Sequence, residues 1–113
     1  MATTIYPSSM RSMGFTLFDR SNSLWWERQH PSIPELRFVV AAMMGGDVRS
    51  PAECMSLYGN GEEADTCLFA GYCTEDQIRM TSNELCAMEL NAVRIMVLAL
   101  GRADGVVPEG RKA

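Results

Sequence analysis

Met80-Thr-Ser-Asn-Glu-Leu-Cys-Ala-Met-Glu-Leu-Asn-Ala-Val-Arg-Ile-Met-Val-Leu-Ala-Leu-Gly101 is the stretch on which a reading of the fold turns. Thr81 and Glu84 stand at the spacing of a capping box, in which each side chain satisfies an orphan N–H at a helix start. Met80 and Leu85 flank that box as a hydrophobic staple, and Gly101 stands where a left-handed C′ residue is wanted. Within this stretch Arg94 is the only charge after Glu89. The pattern predicts a central core helix over Thr81–Leu100.

Working outward, the [ST]-x-x-[EQ] signature recurs. Ser32-Ile-Pro-Glu35 predicts a helix through Met44, with Gly45-Gly46 as its stop. Ser50-Pro-Ala-Glu53 predicts a shorter helix through about Tyr58, with Pro51 at N1. Thr74-Glu-Asp-Gln77 predicts one or two turns up to Met80. Residues 62–70 fit either a helix or an extended segment, since periodicity does not arbitrate in so short a run. Gly14-Phe-Thr-Leu-Phe18 alternates, Asp19-Arg-Ser-Asn22 has turn chemistry, and Ser23-Leu-Trp-Trp-Glu27 is strand-prone, so a β-hairpin is expected over Phe15–Trp26. The expected fold class is therefore mainly α (α+β): a small helical domain around a central C-terminal helix, preceded by an N-terminal β-hairpin. Residues 1–13 are read as a flexible arm, 14–101 as a single globular domain and 102–113 as a flexible tail.

Composition narrows the functional classes. The chain has 113 residues, 47% of them hydrophobic and 21% charged, which suits one globular domain with a core of its own. No apolar run reaches the roughly 18 residues of a membrane span, and the N-terminus lacks the pattern of a secretory signal. A soluble, cytoplasmic protein without membrane association is expected. Lys112 is the only lysine against nine arginines, a weak pointer to a GC-rich bacterial or phage source. The net charge is −4, and between Glu53 and Glu89 eight acids face one base, Arg79. That is the opposite of a nucleic-acid footprint, so direct nucleic-acid binding is not expected.

Motifs for chemistry are sparse. Cys54, Cys67, Cys73 and Cys86 are separated by twelve, five and twelve residues, without the close C-x₂₋₄-C knuckle of a structural zinc site. They are read as reduced core thiols, with no metal and no cofactor. His30 is the lone histidine, and no local signature pairs it with any of these thiols. The glycine-rich turns lack the context of a phosphate cradle. No catalytic residue is assigned, and a thiol- or metal-dependent small enzyme ranks third among the readings.

Two residue sets stand out as partner-binding candidates. The first is an acidic stripe, Glu62, Glu63, Asp65, Glu75 and Asp76, suited to a basic partner surface. The second is Trp25-Trp26: in a hairpin only one of two adjacent residues faces the core, and an exposed Trp is a favoured binding residue. Glu89 falls on the wheel among Leu85, Val93, Met96 and Leu100, where a carboxylate needs a partner such as Arg37 or Arg79, or an interface. The leading functional expectation is a small non-enzymatic protein-binding module. Acidic phage or mobile-element inhibitors act in this style, docking on a basic surface of a larger host nucleic-acid-processing or defence complex. The alternative is a structural or regulatory homodimer joined through the apolar C-terminal helix.

Overall fold

Leu36-Arg-Phe-Val-Val-Ala41 carries aromatic and β-branched residues at its centre, and these pack well on a pleated surface. In the computed structural model, which describes residues 3–20, 23–34, 36–59 and 64–96, this segment is a strand. Leu36, Phe38 and Val40 point into the core, while Arg37, Val39 and Ala41 point the other way. The helix expected after Ser32 is thus replaced by a strand, because side chains of alternating fate satisfy two sheet faces at once.

The elements run in the order β1 (Thr3–Ile5), α1 (Pro7–Ser12), β2 (Thr16–Arg20), β3 (Ser23–Gln29), β4 (Leu36–Ala41), a 3-10 turn (Met44–Gly46), β5 (Val48–Ser50), β6 (Ala52–Gly59), β7 (Ala64–Cys73) and α2 (Glu75–Cys86). A further helical stretch, α3, covers residues 90–96. Strands β2-β3-β4-β6-β7 form an antiparallel five-stranded sheet, and β1 pairs with β5 in a separate two-stranded ribbon. The expectation of a mainly helical domain is overturned: the described residues form a sheet-rich mixed fold. The hairpin of the N-terminal third is present, with Phe18 opposite Trp25 and Leu17 opposite Trp26.

The helix expected over Ser50–Tyr58 is not formed either. Pro51 follows a cis peptide bond, and Ala52-Glu-Cys-Met-Ser56 extends as a strand. Its inward positions, Ala52, Cys54 and Ser56, are small and buried, while Glu53 and Met55 are exposed. Of residues 62–70, for which the sequence allows either form, 64–70 belong to strand β7, which runs on to Cys73.

The long helix expected from Thr81 starts earlier, after Thr74. The functioning capping box is the one at Thr74: its N–H donates to Gln77 Oε1 at 2.9 Å and its Oγ1 accepts the Gln77 N–H at 3.4 Å. Helix α2 then runs straight through Thr81, whose box is not formed as a start, and ends at Cys86. Ala87 caps it, and helical bonding resumes only where the Val93 N–H reaches the Glu89 carbonyl at 3.0 Å. A single helix over Thr81–Leu100 is therefore broken at residues 87–89; positions 97–113, with the expected tail, lie outside the described residues.

Helices and ribbon cover one face of the sheet. Arg28 on β3 donates to Ser82 Oγ at 2.9 Å and Asn83 Oδ1 at 2.6 Å on α2. Trp26 is fully buried, its indole N–H donating to the Gly46 carbonyl at 2.7 Å, with the Arg11 guanidinium 5.5 Å from the ring centroid. The turn that supplies this carbonyl needs positive φ at Gly45 (+90°) and Gly46 (+96°), and a Cβ at Gly46 would press to 3.3 Å on Leu17. Ile5, Met10 and Met13 belong to the same core. Residues 3–13, expected as a flexible arm, are thus packed structure, because their apolar residues complete the layer over Trp26.

Candidate interaction surface

The opposite face of the sheet has no helix on it among the described residues. The alternation that buries Trp26, Phe38, Val40 and Cys54 presents Phe18, Trp25, Val39, Ala41, Met55 and Tyr72 outward. Register aligns them in rows: Phe18, Trp25 and Ala41 face one another across three strands, and Glu27, Val39 and Met55 across the next three. Phe18 and Trp25 stack with planes 10° apart and centroids 6.3 Å apart. The Trp25 indole N–H donates to the Glu27 carboxylate, which also lies 3.7 Å from Arg37. The aromatic rank is thus held in a defined orientation. Met55 is 38% exposed and Tyr72 74% exposed. Between Trp25 and Met55 runs a groove of 330 Å³ floored by Val39 and Ala41 and edged by Glu53. Trp, Tyr, Phe and Met are the residue types enriched in interface cores, and a contiguous patch of them is more informative than scattered apolar residues.

Other expected site residues are placed differently. Trp26 belongs to the core and offers nothing to a partner. Glu62 and Glu63 lie outside the described residues, and Asp65 is placed only as part of β7. Glu75 and Asp76 occupy the first turn of α2, where negative charge complements the helix dipole, and both carboxylates bond Arg79 at 3.1 Å. These two acids thus share a cation with which they are already engaged. Glu89 is exposed at the break between α2 and α3, not set among apolar neighbours. The wheel reading failed there because the interruption resets the helical phase, although Leu85 and Val93 are buried as that wheel required. The proposed partners for Glu89 are engaged elsewhere, Arg37 with Glu27 and Arg79 with its own helix.

A second concavity, a cleft of 620 Å³, opens where the β3–β4 loop meets the α2–α3 break. His30, Cys86, Glu89 and Arg94 line it, an assembly that on paper suits thiol chemistry. The hydrogen bonds of His30 exclude that use in this arrangement. Its Nδ1 accepts the N–H groups of Ser32 (2.9 Å) and Ile33 (3.0 Å), so Nε2 carries the proton and donates to the Met88 carbonyl at 2.7 Å. No lone pair is left to take a proton from Cys86. His30 is instead a strut: it folds the β3–β4 loop and satisfies a carbonyl just past the end of α2. Among the described residues no group of three or more His, Cys, Asp or Glu is placed to hold a metal ion. No helix among them is long and apolar enough to cross a membrane.

Sequence reasoning missed Val39, Met55 and Tyr72. The signal was available in the alternation of residues 36–41 and 52–56, once those segments are read with period two. Comparison of the chain with protein-family profiles, curated proteins and solved structures finds no match to any of them.

Proposed function

We propose that this protein is a non-enzymatic protein-binding module that docks through the open face of its five-stranded sheet. The observation that carries this reading is the row of Phe18, Trp25, Val39, Met55 and Tyr72, on which no helix of the described residues sits, on an ordered antiparallel scaffold. The partner it fits has an apolar centre to meet Trp25 and Met55 and basic groups around it. Glu53 at the groove edge and the net charge of −4 favour that complement. An acidic inhibitor of phage or mobile-element type, seated on a basic surface of a host nucleic-acid-processing or defence complex, is the form of this function we favour. The acidic residues then act mainly on association rate, and the sheet face on the lifetime of the complex.

A homodimer is the second reading, favoured by the exposure of Ile95 (68%) and Leu90 (40%) on α3. Photo-crosslinking residues placed at Met55 and at Ile95 separate the two. Capture of one defined host protein from Met55, abolished by Trp25→Ala, is expected. Capture of a second copy from Ile95, with a dimer mass in light scattering, would instead establish the alternative.

A further inference from the structure

Cys54 on β6 and Cys73 on β7 sit on neighbouring strands of the sheet. Ala52 lies opposite Cys73 and Cys54 opposite Gly71, so both thiols project from the same, inner face and are diagonal neighbours. The four positions of that square hold two thiols, one methyl group and one glycine, so no bulky side chain stands between the sulfurs. Both cysteines are buried, at 1% and 2% exposure. Burial first, and then the charge and hydrogen bonding of adjacent Cys73, push the Cys54 thiol far above its usual range. Cys86 stands apart in the His30 cleft.

We propose that Cys54 and Cys73 are a reversible dithiol–disulfide site, oxidised by small disulfides of the glutathione type. One protein thiolate attacks a sulfur of the small disulfide and releases one small thiol. The second protein thiolate then attacks the protein sulfur of the mixed disulfide and releases the other. Two protein thiols become one S–S bond, the small disulfide gains the two electrons, and the two protons end on the two small thiols. Diagonal strand neighbours, about 7–8 Å apart, lie just beyond ordinary disulfide geometry, so the bond requires the backbone to move. Two features let the backbone close that gap: Gly71 faces Cys54, and Cys73 is the last residue of β7. Because the attacking species is a thiolate and both groups are buried, exchange proceeds through local opening and is slow. The product ties β6 to the corner at which α2 begins, directly beneath Glu53 and Met55 of the open face.

The test is to equilibrate the full chain in buffers of graded reduced and oxidised glutathione, quench with acid, alkylate and map peptides. A linked Cys54–Cys73 peptide, lighter by two hydrogens and populated in the majority of molecules under the most oxidising buffer, is expected. Dithiothreitol should reverse it, and Cys73→Ser should leave Cys54 without an intramolecular partner. Separate glutathionylation of the two cysteines would overturn the proposal. So would both remaining thiols while Cys86 alone reacts, or linkage of either to Cys67. The mapping is done on the unsubstituted protein, so it decides the matter whether or not the variant folds.

Discussion

Each face of the five-stranded sheet carries one tryptophan, contributed by consecutive residues of β3, and the two have been given different work. Trp26 lies under α1 and the Met44–Gly46 turn, with its indole N–H bonded to backbone and a guanidinium over its ring. Trp25 is half-buried on the open face, stacked on Phe18 and tethered to the Glu27 carboxylate. One ring is enclosed by elements far apart in the chain; the other stacks on the strand beside it and donates to a carboxylate two residues further along its own strand. A half-buried aromatic residue held in a fixed orientation enters a complex with little conformational entropy left to lose, which suits a binding anchor. If the two faces are divided into a stability side and a recognition side, substitutions on them should separate melting from binding.

The largest effect on stability belongs to Trp26. Trp26→Ala removes a fully buried ring and leaves the Gly46 carbonyl without its donor, at a cost of about 3–5 kcal/mol. Urea denaturation should show either a greatly lowered midpoint or no cooperative transition. A variant within about 1 kcal/mol of the parent would mean that the covered face is not the core.

Next comes the His30 strut. His30→Ala strands two N–H groups and one carbonyl and is expected to cost about 2 kcal/mol, with water from the adjoining cleft relieving part of the loss. His30→Asn should recover some of it, because a short carbonyl side chain accepts the Ser32 and Ile33 N–H groups in the same turn. Denaturant midpoints ordered parent, Asn, Ala are expected; an Asn variant no better than Ala would assign the cost to the Met88 contact alone.

The sequence revealed the hairpin, because Asp19–Asn22 is turn chemistry between two alternating runs and each strand's partner is its neighbour. It misdirected the reading of β4 and β6, where local capping signatures at Ser32 and Ser50 competed with alternation of core and open-face residues. Sheet formation won because β4 pairs on both edges, with β3 and β6, a non-local gain that no window of the sequence contains. The α2–α3 break was hidden for the same reason. Its carbonyl at Met88 is satisfied by His30, 58 residues away. Of the candidate site, the Trp25-Trp26 dipeptide was legible as one ring in and one ring out, whereas Val39, Met55 and Tyr72 become one surface only when the strand order is known.

The Thr74 cap gives a smaller effect on the covered side. Thr74→Ala removes the acceptor for the Gln77 N–H and breaks the reciprocal box, which costs about 1 kcal/mol. Thr81→Ala, at the site the sequence favoured as a helix start, should be close to neutral because Thr81 lies inside α2. Paired thermal melts of the two variants check which threonine starts the helix.

The largest effect on binding is expected at Trp25, with a cost in stability well below that of Trp26. Trp25→Ala removes a half-buried ring, and the aromatic stack on Phe18 contributes about 0.5–1.5 kcal/mol beyond burial. The strand keeps its pairing with β2 and β4, so the melt should remain cooperative and only slightly lowered. Against the partner captured at Met55, loss of an aromatic anchor at the patch centre should weaken binding by at least about 2 kcal/mol, roughly thirtyfold in Kd. Met55→Glu tests the same surface without touching the stack: an added carboxylate beside the groove leaves the fold intact and repels an apolar docking face. Calorimetric titration of both variants, with circular-dichroism melts alongside, reads the two quantities independently. Unchanged affinity in both would remove the open face as the docking surface and leave the exposed apolar side chains of α3 as the better candidate.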